Sequence, residues 1–162
     1  MTYPGSQSGN ECMRQCGFSL LELLVALVVL AIMASLALPL YDQYAERTYR
    51  REGQAALLGC AQALERLAAA TFSYGNVADT DGDGVRDSGV GPLAASVCES
   101  RLDGRYRLSV VADEQHFTLT ATAIGRMLGD GDLRLDSNGY RGWDKNANGT
   151  FEPSLGEANW DE

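Results

Sequence analysis

The sequence contains little that could build a catalytic centre. It has a single histidine, His116, and four cysteines, none of which has a CxxC companion. No nucleophile, base and orienting group occur together in a recognisable motif, so an enzymatic function has little support. His116 opens a predicted strand beside Phe117, and no second metal-type residue stands near it. We therefore expect a structural histidine and a protein that is not an enzyme.

Positive charge is also scarce. The chain has 13 Lys and Arg against 22 Asp and Glu, which gives a formal net charge of −9 at pH 7. Such a surface repels phosphate groups, so we do not expect direct nucleic-acid binding by the domain as a whole. Arg47, Arg50 and Arg51 nevertheless cluster, which leaves a local basic strip open. Internal repeats are absent, and 162 residues suit one domain together with an apolar segment.

One long apolar run stands near the N-terminus, in CGFSLLELLVALVVLAIMASLALP, residues 16–39. The part from Leu23 to Pro39 has no charge and reaches the lower limit of the about 17–25 residues that cross a bilayer. Glu22 precedes it, although a charged side chain at that depth costs roughly 2.5–3.5 kcal/mol. An ordinary single-pass anchor would have no carboxylate there. A cleaved secretory signal would have a shorter apolar core preceded by basic residues.

The residues GFSLLELLVALVVLAIMASLALPLYDQY closely resemble the N-terminus of type IV pilins and related pseudopilins. The resemblance implies that a prepilin peptidase cuts after Gly17 and that the new amino terminus, on Phe18, is methylated. Glu22 matches the glutamate that is fifth from the cut in this family, and Pro39 matches its helix-kinking proline. These motifs coincide in order, so the resemblance is specific.

The resemblance also accounts for the carboxylate in the apolar run. A buried carboxylate is tolerable when a cation neutralises it. In this family the amine created by the cut pairs with the glutamate of a neighbouring subunit. We therefore expect Phe18, Glu22 and Pro39 to act in assembly, and Glu22 to have no catalytic role.

Three segments follow from this reading. Residues 1–17 form the prepilin leader, with Met13 as the expected true start, because MRQCG has the usual leader length. Residues 18–39 form the membrane-spanning assembly helix, and residues 40–162 form the globular domain. The domain includes the second half of the long helix, which we expect to kink at Pro39 because proline removes a backbone donor.

The predicted fold class is α+β, with one long N-terminal helix packed on a small antiparallel sheet, as the resemblance also implies. The helix is expected from Phe18 to about Thr71, and its domain half has one apolar face formed by Leu57, Ala61, Leu64 and Ala68. Gly53 and Gly59 are expected to weaken this half by roughly 1 kcal/mol each. RYRLSVVA and HFTLTATA alternate as a hairpin around residues 113–115, and DLRLDSNGYRGW offers a third strand.

The cysteines indicate one disulfide. Cys12 and Cys16 precede the predicted cut, so the mature chain retains Cys60 and Cys98. Two cysteines in a periplasmic or cell-surface domain usually pair. We therefore predict a Cys60–Cys98 bond that ties the helix to the loop before the strands.

Two loops rich in Asp and Asn indicate calcium. DTDGDGVRD alternates carboxylates around a glycine, which lets a tight turn direct several oxygens inward. Its predicted ligands are Asp79, Asp81, Asp83, Asp87 and the backbone carbonyl of Val85. The loop departs from an EF-hand because its twelfth residue is Val90 rather than glutamate.

The second loop, DKNANGTFEPSLGE, repeats this spacing near the C-terminus, with glutamate two places beyond the usual twelfth position. Its predicted ligands are Asp144, Asn146, Asn148, Thr150, Glu152 and Glu157. An acidic, turn-rich surface is the alternative for both loops, and one shared ion is a further alternative. We expect one or two calcium ions.

The function favoured by the resemblance is a minor pilin of a type IV pilus, which takes part in adhesion, twitching motility or DNA uptake as part of the fibre. The alternative is a pseudopilin of a type II secretion system. The implied partners are other pilins and the prepilin peptidase and N-methyltransferase. The protein is expected in the inner membrane, with its C-terminal domain periplasmic, and on the cell surface after assembly.

Overall fold

The computed structural model describes residues 19–99, 102 and 104–161. It contains one long helix, α1 (Leu20–Thr71), and a five-stranded antiparallel sheet. The strands lie in the sheet in chain order: β1 (Val90–Pro92), β2 (Tyr106–Ala112), β3 (Phe117–Ala123), β4 (Leu133–Asp136) and β5 (Arg141–Trp143). Short 3₁₀ helices cover Gly125–Met127 and Pro153–Leu155. The predicted α+β fold is confirmed.

The chain divides into two compact units, Met1–Tyr41 and Asp42–Glu162. In the first unit the described residues form an exposed helical segment. Its length and a mean hydropathy of 2.8 over an 18-residue window are sufficient to cross a membrane. Pro39 lies inside α1, which continues beyond it, and the kink expected there stays a prediction.

The second unit has a core between the domain half of α1 and one face of the sheet. Leu57, Cys60 and Leu64 of α1 are completely buried, whereas Ala61 and Ala68 of the predicted face are half-buried. Alternate strand residues point into the same core, as the period of two requires. The buried apolar side chains of the strands are those of Tyr106, Val110, Phe117, Leu119, Ala121, Ala123, Leu133, Leu135 and Trp143.

The predicted hairpin is present as β2 and β3, whose register runs from Tyr106 opposite Ala123 to Ala112 opposite Phe117. Asp113 closes the turn, because its carboxylate accepts the backbone N–H groups of Gln115 and His116 at 2.7 Å each. These two hydrogen bonds hold the pKa of Asp113 below its ordinary value. His116 does not open the strand as predicted, since it is an exposed residue of this turn.

The sequence patterns identified the long strands but not the two edges of the sheet. β1 and β5 have three residues each, and both contain a glycine. Three residues are too few to show an alternating pattern, and glycine is weakly associated with strands. Both edge strands therefore depend on pairing with their neighbours, β1 with β2 and β5 with β4.

The predicted disulfide is present in the structure. Cys60 and Cys98 are bonded, with 5.3 Å between their Cα atoms. Cys60 lies in the buried face of α1, and Cys98 lies in the turn segment that follows β1. The bond therefore joins the helix to the connection between β1 and β2.

Gly53 has a packing role that its helix propensity does not reveal. A Cβ atom on this buried residue would lie 3.0 Å from Leu133 and 3.2 Å from the Tyr106 ring. Because Gly53 has no side chain, α1 can approach Leu133 and Tyr106 of the sheet closely. Gly59 differs, because a Cβ atom there would have no neighbour within 4 Å.

Candidate functional sites

Four features can carry function: the N-terminal segment, a basic niche beside α1, and the two acidic loops. In the N-terminal segment Glu22 lies in the first turn of α1, and both it and Pro39 are exposed. Gly17 and Phe18, the predicted processing residues, lie outside the described residues. Exposed apolar side chains surround Glu22, so this segment offers a surface for a bilayer or for other apolar helices.

A buried ion pair joins the domain half of α1 to the segment between β3 and β4. Arg50 is 8% exposed, and its Nε donates to Oδ2 of Asp130 at 2.9 Å. Its guanidinium lies 3.7 Å from the centroid of the Trp143 ring. Tyr106 donates its hydroxyl to the same carboxylate at 3.0 Å, and burial, then Asp130, raises the pKa of Tyr106. Arg50 therefore belongs to the core and not to the basic strip that the sequence suggested.

The other two arginines of that cluster line a cavity of about 300 Å³ between α1 and the C-terminal segment. Arg47 and Arg51 are both exposed, and Trp160 forms the opposing wall. The Trp160 ring is held in place because its Nε1 donates to the Gly142 carbonyl at 3.0 Å. The guanidinium of Arg141 lies over the same ring, 5.2 Å from its centroid. Arg50, Gln54 and Asp161 complete the lining of the cavity. We call this cavity, together with Arg141, the basic niche.

The first acidic loop brings three of its predicted ligands together. Asp79, Asp81 and Asp87 each place one carboxylate oxygen within 4.8 Å of the others. Asp79 also accepts the N–H groups of Gly82 and Gly84, at 2.8 and 3.1 Å. Asp83 is outside this trio, and its carboxylate accepts the N–H of Val85 at 2.7 Å.

Thr80 holds the Asp87 carboxylate in place by two hydrogen bonds. Its Oδ2 accepts the backbone N–H of Thr80 at 3.0 Å and also the Thr80 hydroxyl. The hydroxyl, then the backbone group, lowers the pKa of Asp87, so the carboxylate is readily ionised. The trio is therefore a set of oxygen donors of the kind that calcium accepts.

The second acidic loop contains two buried carboxylates. Asp144 and Glu157 are each 1% exposed. Asp144 accepts the N–H groups of Asn148 and Gly149, at 3.1 and 2.7 Å, and Glu157 accepts the N–H of Glu152 at 2.8 Å. None of the ion pairs between described residues involves either of them. Two buried carboxylates without a basic partner are a setting that a cation would stabilise.

The remaining predicted ligands lie between Asp144 and Glu157 in the sequence. The amide groups of Asn146 and Asn148 both donate to Glu152, at 3.2 and 3.1 Å. The N–H of Thr150 donates to the side-chain oxygen of Asn148 at 2.8 Å. The donor set of carboxylate, amide and carbonyl oxygens suits calcium, and calcium binding stays a prediction for both loops.

Comparison with known proteins identifies the family. Residues 39–133 match the family model described as Type IV minor pilin ComP, DNA uptake sequence receptor. Residues 12–38 match the model of the prokaryotic N-terminal methylation motif. Searches of curated proteins and of solved structures gave no significant match. The first match spans more than half of the chain, and neither match favours the secretion pseudopilin. The chain therefore belongs to the type IV minor pilin family and is a minor pilin subunit of a type IV pilus.

Proposed function

We propose that this minor pilin serves DNA uptake, as the pilus subunit that contacts incoming DNA. The observation that carries the proposal is the match of residues 39–133 to a family described as a DNA uptake sequence receptor. The basic niche supports it, because arginines beside an aromatic ring suit a phosphate-bearing polymer. The proposed role is structural and DNA-binding, without catalysis.

The test is a deletion of the gene, scored separately for surface pili, secreted proteins and uptake of labelled DNA. Loss of DNA uptake with pili and secretion intact is the expected result, and a plasmid copy of the gene should restore uptake. Normal uptake in the deletion strain would contradict the proposal. A defect confined to protein secretion would contradict it as well.

The proposed location follows from the N-terminal motif and the apolar helix. The prepilin peptidase cuts between Gly17 and Phe18 and methylates Phe18, and the chain stays in the inner membrane by its apolar segment. The domain then lies in the periplasm, and after assembly with other pilins it lies on the surface of the pilus. The methylation motif over residues 12–38 and the hydropathy of α1 support this order.

Calcium is the second part of the proposal, because each acidic loop concentrates carboxylates that repel one another. In the Asp144–Glu157 loop the two buried carboxylates carry the argument, and in the Asp79–Asp87 loop the carboxylate trio does. A divalent ion offsets the repulsion and binds only the folded chain, so it stabilises the fold. Extracellular sites with dissociation constants of about 10⁻⁴–10⁻³ M are common.

Calcium should therefore raise the melting temperature of the detergent-solubilised chain more than magnesium does, because magnesium requires a tighter octahedral shell. The Asp81→Ala, Asp83→Ala double variant tests the first loop, and Asp144→Asn with Glu157→Gln tests the second. Asp113→Asn, in the hairpin turn, is the control and should retain the full calcium response. Equal responses in all four proteins would contradict a site in either loop.

A further inference from the structure

The last turns of α1 have a cavity on each side, and the two cavities carry charges of opposite sign. The lining of the first, of about 440 Å³, includes Glu65, Ala69, Phe72, Tyr74 and Glu114, and we call it the acidic flank. The lining of the second, of about 290 Å³, includes Arg66, Leu67, Ala70, Arg86 and Val97, and we call it the basic flank. At about 3.6 residues per turn, the helix residues of the two flanks lie about 160° apart around α1. The two flanks therefore lie on opposite sides of its buried face.

The charges of both flanks have no ion-pair partner in the part of the chain that the structure describes. None of the ion pairs between described residues involves Glu65 or Glu114 of the acidic flank. The same is true of Arg66 and Arg86 of the basic flank. All four residues are exposed. Two negative and two positive groups are therefore available to a second molecule.

Phe72 is the residue of the acidic flank that the single chain explains least. It follows the last residue of α1 with a φ of 59°, in the left-handed region where glycine is usual at a helix end. Its apolar side chain is 92% exposed. The residue is thus costly twice, in backbone conformation and in apolar surface left in water. A second molecule that covers the ring would offset the second cost.

Tyr74 gives the acidic flank a second aromatic ring, and this ring is held in place. It packs edge-on against buried Phe117, with 5.1 Å between the ring centroids. Its hydroxyl donates to the Glu65 carboxylate at 2.8 Å, and its backbone N–H donates to the carbonyl of Glu114 at 3.3 Å. Carboxylates beside aromatic rings attract guanidinium groups, because both the charge and the ring faces favour a cation.

We propose that the acidic flank of one chain binds the basic flank of a second copy of this chain, with Phe72 covered by the apolar wall around Leu67 and Val97. Charge complementarity identifies the occupant, because this chain carries both halves of the contact. A contact between two different surfaces is heterologous, so it repeats from copy to copy in a ring or a helical row. The inference concerns assembly of this pilin and depends neither on DNA uptake nor on calcium.

Cross-linking tests the geometry of the contact, at physiological ionic strength so that the net charge of −9 on each copy is screened. Ala69 lines the acidic flank and Ala70 lines the basic flank, and both are exposed. Ala69→Cys and Ala70→Cys are made separately in the detergent-solubilised full chain, with Cys12 and Cys16 replaced by serine, and are treated with a short bismaleimide. The mixture of the two variants should give a cross-linked dimer, and each variant alone should give far less. No dimer, or equal amounts alone and mixed, would contradict the proposal.

Charge reversal tests the complementarity. Glu65→Arg with Glu114→Arg should reduce the cross-linked dimer about tenfold or more, and so should Arg66→Glu with Arg86→Glu. The quadruple variant exchanges the signs of the two flanks at the wild-type net charge, so it should recover the dimer. Arg107→Glu, an exposed change outside both flanks, is the control and should leave the dimer unchanged. A quadruple variant that is folded by circular dichroism but gives no dimer would contradict the pairing.

Phe72→Gly distinguishes a contact residue from a structural one. Glycine adopts the left-handed backbone without strain, so this variant should have a higher melting temperature than the wild type. It should nevertheless give less cross-linked dimer, because the apolar part of the contact is lost. Leu128→Ala is the control, since Leu128 is 65% exposed and lies outside both flanks, and it should retain the dimer. An unchanged dimer in Phe72→Gly would remove the ring from the contact and contradict the proposal.

Sheared pili show which molecule occupies the flanks. If the charge-reversed double variants are absent from pili while the two cysteine variants give no dimer, a different pilin occupies the flanks and the second copy is excluded. Recovery of both the dimer and pilus incorporation in the quadruple variant is the expected result. DNA uptake is scored separately in the deletion strain, so failure of the copy-to-copy contact leaves the proposed function standing.

Discussion

Arg50 carries a full charge at a position where only 8% of its surface is exposed. Its partner, Asp130, is buried to a similar extent, with 7% of its side chain exposed. Removing two charges from water is costly, and the cost is offset here by hydrogen bonds to Asp130 and by stacking on Trp143. The ion pair therefore helps to fix where α1 lies along the sheet.

Arg50→Gln should therefore be strongly destabilising, by about 3–5 kcal/mol, because it leaves Asp130 charged and buried. Denaturant unfolding of the detergent-solubilised chain measures the loss. Arg51→Gln, its exposed neighbour, is the control and should change the free energy of unfolding by no more than about 0.5 kcal/mol. Arg50→Met combined with Asp130→Asn should recover part of the lost stability. Equal stability of the two single variants would contradict this account of the pair.

The two glycines of α1 differ in what surrounds them, and this difference gives a paired test. Gly59→Ala should stabilise the chain by up to about 1 kcal/mol, because alanine has the higher helix propensity and the added methyl group meets nothing. Gly53→Ala gains the same propensity but forces buried Leu133 and Tyr106 to move. We expect its melting temperature to be lower than that of Gly59→Ala and of the wild type. A melting temperature of Gly53→Ala above that of the wild type would contradict this prediction, because it would show that Leu133 and Tyr106 can move at little cost.

The disulfide joins two elements 38 residues apart in the sequence. Closing a loop of that length contributes about 4 kcal/mol in the chain-entropy model. The Cys60→Ser, Cys98→Ser double variant should consequently unfold at lower denaturant concentration than the oxidised wild type. Reduced wild type is the matched control and should resemble the double variant. Two reactive thiols per chain in protein prepared from the cell envelope would contradict the bond.

Elements with a repeating pattern were predictable from the sequence, and contacts between distant residues were not. α1 and the β2–β3 hairpin each repeat an apolar period over seven residues or more, so they could be identified. The partner of Arg50 lies 80 residues away, and nothing near Arg50 in the sequence indicates it. Trp160 was missed for the same reason, since only the fold brings it beside Arg47.

The predicted assembly segment has apolar side chains that are exposed in the single chain. Glu22 lies among them, and the family resemblance assigns it to the amine on Phe18 of another subunit. Glu22→Ala should still enter the membrane and be cleaved, which mass spectrometry would show as an N-terminal Phe18. It should not enter fibres, because the incoming amine has no counter-charge.

Ser35→Ala is the control for this prediction, because the Ser35 hydroxyl is already satisfied by the Ile32 carbonyl at 2.7 Å. It should enter sheared pili at the wild-type level. Normal incorporation of Glu22→Ala would show that the carboxylate has no role in assembly.

Both edges of the sheet are covered by other parts of the same chain. On β5, the backbone N–H of Trp143 donates to Glu157, and the Trp160 ring donates to Gly142. On β1, the Pro92 carbonyl accepts the N–H of Asp79, and Ala78 forms a bridge with Leu93. An open edge is a template for adding strands from another molecule. The hydrogen bonds at these two edges therefore oppose edge-to-edge pairing of domains from neighbouring chains, which would otherwise lead toward amyloid-like ribbons.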